Sequence, residues 1–136
     1  MIETEIRKLL FVDHIVLTIR DISATRKFYA EIFGSPDYNE EHFIMYQLGQ
    51  TKLFLSLPYK ALQPGDTFDS NRIGLEHFAI GVLTLDDLKK IQTSLDKSFV
   101  KHSGIHVDSD SGKEKIWLDD PNGIRLEFYL RANQLQ

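Results

Sequence analysis

The chain contains no cysteine. Disulfides, thiolate metal ligands and a cysteine nucleophile are all excluded by that one absence. Lysine and arginine form no basic run, and the net charge of −4 offers nucleic acid no electrostatic footprint. No apolar stretch approaches membrane-spanning length, and no low-complexity segment interrupts the chain. The start, Met1-Ile2-Glu3-Thr4-Glu5, is charged where a secretory leader would be apolar, so the expectation is a soluble cytoplasmic protein. What remains is 136 residues, 42% hydrophobic and 26% charged: one compact domain, too short for two independent cores.

What is present is a repeat. Asp13-His14-Ile15-Val16-Leu17-Thr18-Ile19 returns as Glu76-His77-Phe78-Ala79-Ile80-Gly81-Val82. Each copy is an acidic residue, a histidine and an alternating apolar run, followed by helical character. The chain reads as one βαβββ unit written twice: module one over about residues 9–58, a connector over about 59–73, and module two over about 74–131. In module one, a strand over 9–19 is interrupted by Asp13-His14. Ser23 caps a helix over 24–33, with Phe28, Ile32 and Phe33 as its apolar stripe, and Gly34 and Pro36 stop it. Strands over 43–48 and 52–57 follow, joined around Gly49-Gln50. In module two, a strand over 76–82 precedes Thr84, which caps a helix over 85–95. Strands over 116–119 and 124–130 close around Asp120-Pro121-Asn122-Gly123, where Asn-Gly is expected to supply positive φ angles. The expected fold class is α+β: two paired modules whose mixed sheets form a cupped, open barrel with helices outside.

Strand phase then assigns neighbours, because successive side chains alternate between faces. Ile15, Leu17 and Ile19 share an apolar face, leaving His14, Val16 and Thr18 opposite. Phe78, Ile80 and Val82 leave His77, Ala79 and Gly81 opposite, so the second histidine has very small neighbours, as a cavity wall would. Leu126, Phe128 and Leu130 leave Arg125, Glu127 and Tyr129 on the other face. Inside an open barrel His14, His77 and Glu127 can converge, and two imidazoles with one carboxylate suit a first-row divalent metal. The simpler alternative for each residue alone is a satisfied strand histidine or a solvated glutamate.

The stretches 13–19, Phe28-Tyr29, Phe33-Gly34, Leu75-Glu76-His77-Phe78-Ala79-Ile80 and Asp119-Asp120-Pro121-Asn122-Gly123-Ile124-Arg125-Leu126-Glu127-Phe128 resemble the vicinal oxygen chelate superfamily of glyoxalases, bleomycin-resistance proteins and extradiol dioxygenases. That resemblance implies paired βαβββ modules, a divalent ion (Fe, Mn, Ni or Zn) held by His14, His77 and Glu127, and a homodimer. Where glyoxalase I enzymes place a fourth ligand, this chain offers Phe54 and Ser56. The resemblance therefore points to the His-His-Glu branches, among them fosfomycin-resistance enzymes, extradiol dioxygenases, isomerases and decarboxylases. Val16 departs from the threonine usual in the first, and Trp117 from the tyrosine usual in the second.

The function this implies is a metal-dependent lyase, isomerase or dioxygenase acting on two adjacent oxygens of a small molecule, with Glu127 at the reacting centre. The alternative is a metal-free drug-binding protein of the bleomycin-resistance type. Arg125, Tyr129 and Ser56 are candidate substrate contacts, the first two also reading as a rim pair. His102, near His106, is a candidate general acid or base, set against the simpler reading of a surface loop. Asp108-Ser109-Asp110-Ser111-Gly112 reads as a solvated turn, too short and without the closing glutamate for a calcium loop. His42 has no assigned role.

Overall fold

A computed structural model describes residues 3–131, and in it the repeat becomes two separate four-stranded sheets. In the first, β1 (His14–Thr18), β4 (Thr51–Ser56), β3 (Phe43–Leu48) and β2 (Tyr38–Asn39) lie side by side in that order. The second has β5 (Phe78–Val82), β8 (Arg125–Leu130), β7 (Glu114–Asp119) and β6 (His106–Val107). The first strand of each sheet pairs in parallel with its fourth, and the remaining pairs are antiparallel. A parallel neighbour requires a crossover. Here α2 (Ile22–Phe33) and α3 (Leu85–Lys97) begin those crossovers, giving βαβββ twice. The architecture is α+β, and neither sheet closes on itself. No helix among the described residues is long and apolar enough to cross a membrane.

Burial follows the expected phase. Leu17, Ile19, Phe78, Val82, Leu126 and Phe128 join one core with Tyr29, Leu88 and Leu95 from the helices. The opposite faces stay open: Val16, Ala79 and Gly81 are exposed. Thr84 caps α3 as expected, its hydroxyl accepting from Asp87 N at 3.0 Å. The cap of α2 is Asp21, not Ser23, through a bond from Ala24 N at 3.1 Å, and the helix starts two residues earlier than its sequence suggested. An aspartate and a serine two apart compete for the cap, and the carboxylate wins by also meeting the positive helix end. The fully buried face of α2 is Thr25 and Tyr29, with Phe28, Ile32 and Phe33 only partly covered.

Two further differences have local causes. The first strand begins at His14 and not at Leu9, because β4 starts at Thr51 and offers upstream residues only Lys52 N to Asp13 O and the Thr51 hydroxyl to Val12 O. Leu9, Leu10, Phe11 and Val12 are consequently exposed, and a four-residue α1 (Thr4–Arg7) precedes them. In the turn 120–123 only Gly123 has positive φ, at 81°. Gly123 N closes on Asp120 O at 2.9 Å, a four-residue turn that leaves Asn122 free of the left-handed region.

That turn fastens the two modules. Tyr29 Oη donates to Asp120 Oδ2 at 2.9 Å, Asn122 Nδ2 to Thr25 Oγ1 at 3.1 Å, and Arg20 N to Asn122 Oδ1 at 2.8 Å. Asp120 also accepts from Asn122 N and Ile124 N, so this buried carboxylate is fully engaged. Desolvation, with Asp120's charge and hydrogen bond behind it, pushes the Tyr29 phenol well above its ordinary value.

Candidate functional site

Both repeats treat their histidine alike. The acidic residue before it reaches one ring nitrogen: Asp13 Oδ2 lies 2.7 Å from His14 Nδ1, and Glu76 Oε1 lies 2.6 Å from His77 Nδ1. The hydrogen bond with His14 holds the Asp13 carboxyl below the usual aspartate range. A carboxylate on Nδ1 draws the ring proton there and leaves Nε2 as a lone-pair donor, the tautomer a metal-bound histidine needs.

His77 Nε2 faces Glu127 Oε1 at 3.7 Å. The register explains the meeting: Ala79 pairs with Glu127 across β5 and β8, and Gly81 with Tyr129, so no bulky side chain on β5 stands between His77 and the buried carboxylate. Two ligands of one ion, each about 2.1 Å from it, stand roughly 3.0–3.6 Å apart, so the observed spacing fits a shared cation after a slight closure. His14 does not join them within one chain. It lies more than half exposed on the open face of the first sheet, edge-on to Phe54 with ring centres 5.8 Å apart. Among the described residues no three histidine or acidic side chains cluster tightly enough to hold a metal.

Between the edges of the two sheets opens a cleft of about 1120 Å³. His77, Ala79, Gly81, Glu127, Tyr129 and Arg131 form one wall, with Ile15, Thr51 and Leu53 opposite. The other expected contacts fall differently. Arg125 shares the Glu127 face but is held at its rim, bonded to both Asp119 oxygens at 2.9 and 3.2 Å with its guanidinium 3.8 Å above the Trp117 ring. Ser56 sits beside Phe54 in β4, on the side of the first sheet that carries His14. His102 is outside the cleft: Nε2 lies 2.6 Å from Asp96 Oδ1 and Nδ1 accepts from Gly104 N at 2.9 Å. Both of its ring nitrogens are spent tying the end of α3 to the following loop.

Two residues at the site, Arg131 and Lys115, were not singled out from the sequence. Lys115 Nζ lies 3.4 Å from each Glu127 oxygen and 3.7 Å from Asp108 Oδ1. The signal was available, since Lys115, Trp117 and Asp119 alternate along β7 and pair with Tyr129, Glu127 and Arg125. Asp108 in turn accepts from Tyr129 Oη at 2.9 Å and Ser111 Oγ at 3.0 Å, bonds that hold its carboxyl below the ordinary range. The 108–112 turn is therefore anchored to the site and not merely solvated.

Two βαβββ units, each opening a histidine-bearing face, define a class of paired-module α+β proteins. Residues 11–128 match the Glyoxalase/Bleomycin resistance protein/Dioxygenase superfamily, and the chain belongs to it. Solved structures share the fold at low identity. The glyoxalase family protein from Enterococcus faecalis is 22% identical with a TM-score of 0.67, over 88% of this chain and 96% of that one. The glyoxylase/bleomycin resistance protein/dioxygenase domain from Frankia sp. EAN1pec is 23% identical at 0.73, over 92% and 94%. The lactoylglutathione lyase from Agrobacterium tumefaciens is 18% identical at 0.67, over 88% and 92%. No curated protein matches the sequence.

Proposed function

We propose that the chain is a divalent-metal-dependent small-molecule enzyme whose ion is held by His77 and Glu127 of one copy and His14 of a second. One observation carries this reading: in both repeats a carboxylate occupies Nδ1 and frees Nε2, which a merely structural histidine does not require. The second copy is argued from incompleteness. His14 is presented on an exposed face beside the uncovered Leu9–Val12 stretch and Val16, at the unpaired edge of β1. A homodimer would cover that apolar edge and deliver the third ligand.

A bound Fe, Mn, Ni or Zn ion would supply Lewis-acid or oxygen-activating chemistry at two adjacent substrate oxygens. The chain's own groups would position the substrate: Ala79 and Gly81 leave room beside Glu127, Arg131 offers positive charge, and Tyr129 bounds the same wall. Ser56 would enter only with His14, through the second copy. His102 takes no part, because its nitrogens are already engaged. A metal-free binding protein is the second reading, favoured by Lys115 already compensating Glu127.

The test is complementation. His14→Ala and His77→Ala are purified without chelator and titrated with Zn(II) separately, then after mixing and subunit exchange. Each alone should lose high-affinity binding, and the mixture should regain about one site in half of its dimers. His77→Ala binding as wild type would refute the ligand assignment; recovery of nothing on mixing would refute the shared site.

A further inference from the structure

The site holds a cation that the chain itself supplies. Lys115 Nζ stands equidistant from both Glu127 oxygens at 3.4 Å and 3.7 Å from Asp108. The Lys115, Glu127 and Asp108 side chains are 17%, 7% and 18% exposed, so solvent screens them weakly. An ammonium in that position neutralises the charge that a divalent ion would neutralise. The two cations compete for the carboxylate, because like charges at such a distance repel and the ammonium spans both of its oxygens. A flexible four-carbon stem nevertheless has a second place to go. Asp108 already flanks the ammonium, and it is fixed there by Tyr129 and Ser111.

We propose that Lys115 is a built-in competitor for the metal: it pairs with Glu127 when no ion is bound and moves onto Asp108 when one is. This rests on His77 and Glu127 being the ligands. Lys115 is then a positioning residue that acts through Glu127 and sets the affinity of the site. Asp108 lowers the cost of releasing Glu127, so the two residues act with opposite sign. Removing the ammonium tightens metal binding; removing the Asp108 charge weakens it. Asp108 can exert that effect only while Lys115 is present, which makes the pair non-additive.

Zn(II) and Mn(II) are titrated calorimetrically into wild type, Lys115→Met, Asp108→Asn and the double variant, with the metal-induced shift in Tm as a second readout. Lys115→Met should bind roughly tenfold or more tightly. Asp108→Asn should bind several-fold more weakly, and the double variant should match Lys115→Met. Lys115→Gln, which keeps a polar end, replaces the methionine variant if that one does not fold. Binding that appears only once Lys115 is removed would support the competitor in its strongest form. Wild-type binding left unchanged by both Lys115 substitutions would overturn the competitor while the ligand assignment stands. No binding in any variant would overturn both.

Discussion

Tyr46 shows how a single buried group responds to pH. It is almost fully covered, and its hydroxyl donates to Gly34 O at 2.8 Å. Desolvation, helped by the charge of Asp37, pushes its pKa up to about 12. A folded-state pKa above the unfolded one means the contribution is whole below about pH 10 and is lost as pH climbs through about 12. Tyr46→Phe should cost about 1 kcal/mol at neutral pH through the lost bond, and should flatten the alkaline decline. Urea denaturation at neutral pH and near pH 11 checks this; parallel curves for the two proteins would be the contrary result. The same scale shows what could be read early. The faces of His14, His77 and Glu127 followed from alternation alone. The role of Lys115 did not, although its face did, because its meaning lies in two carboxylates, one of them on a turn that looked solvated.

Among the elements, the end of α3 carries a removable strain. Phe99 has φ of 56°, the left-handed region, and its side chain is 95% exposed. Val100 N bonds back to Leu95 O at 3.0 Å, so the backbone reversal satisfies a helix-end carbonyl and persists whatever the residue. Glycine adopts that conformation without the Cβ clash, and no packing would be lost. Phe99→Gly should therefore raise stability by about 0.5–1 kcal/mol, the relieved Cβ clash less the extra backbone entropy of glycine, visible as a higher Tm. A lower Tm would mean that the exposed ring has a partner. Most elements were legible because their signals are local: alternation for strands, Thr84 for the start of α3, Gly34 for the end of α2. The exceptions depended on neighbours, as where β1 stopped for want of paired residues in β4.

For the whole molecule, Asp120 is the joint between modules. Asp120→Ala would leave Tyr29 Oη buried without its acceptor and would free the turn that holds Asn122 against Thr25. We expect a loss of about 3 kcal/mol in urea denaturation, against about 1 for Tyr29→Phe, which removes donor and bond together. Equal losses would show that the orphaned hydroxyl is not the cause. From sequence the turn reads as a tight hairpin, with Asn122 as a conformational device. Besides Asp120 within the turn, its side chain has partners, Thr25 and Arg20, that lie 97 and 102 residues away.

The duplication, the βαβββ order and the faces carrying the acidic-histidine pairs are set by the sequence alone, because a period of two and a nearest-neighbour carboxylate act within a few residues. How the modules meet belongs to the tertiary structure. It places His77 against Glu127, sets Lys115 between two carboxylates, and leaves His14 on a separate open face. Those outcomes depend on packing between distant segments, for which no local pattern carries the distance.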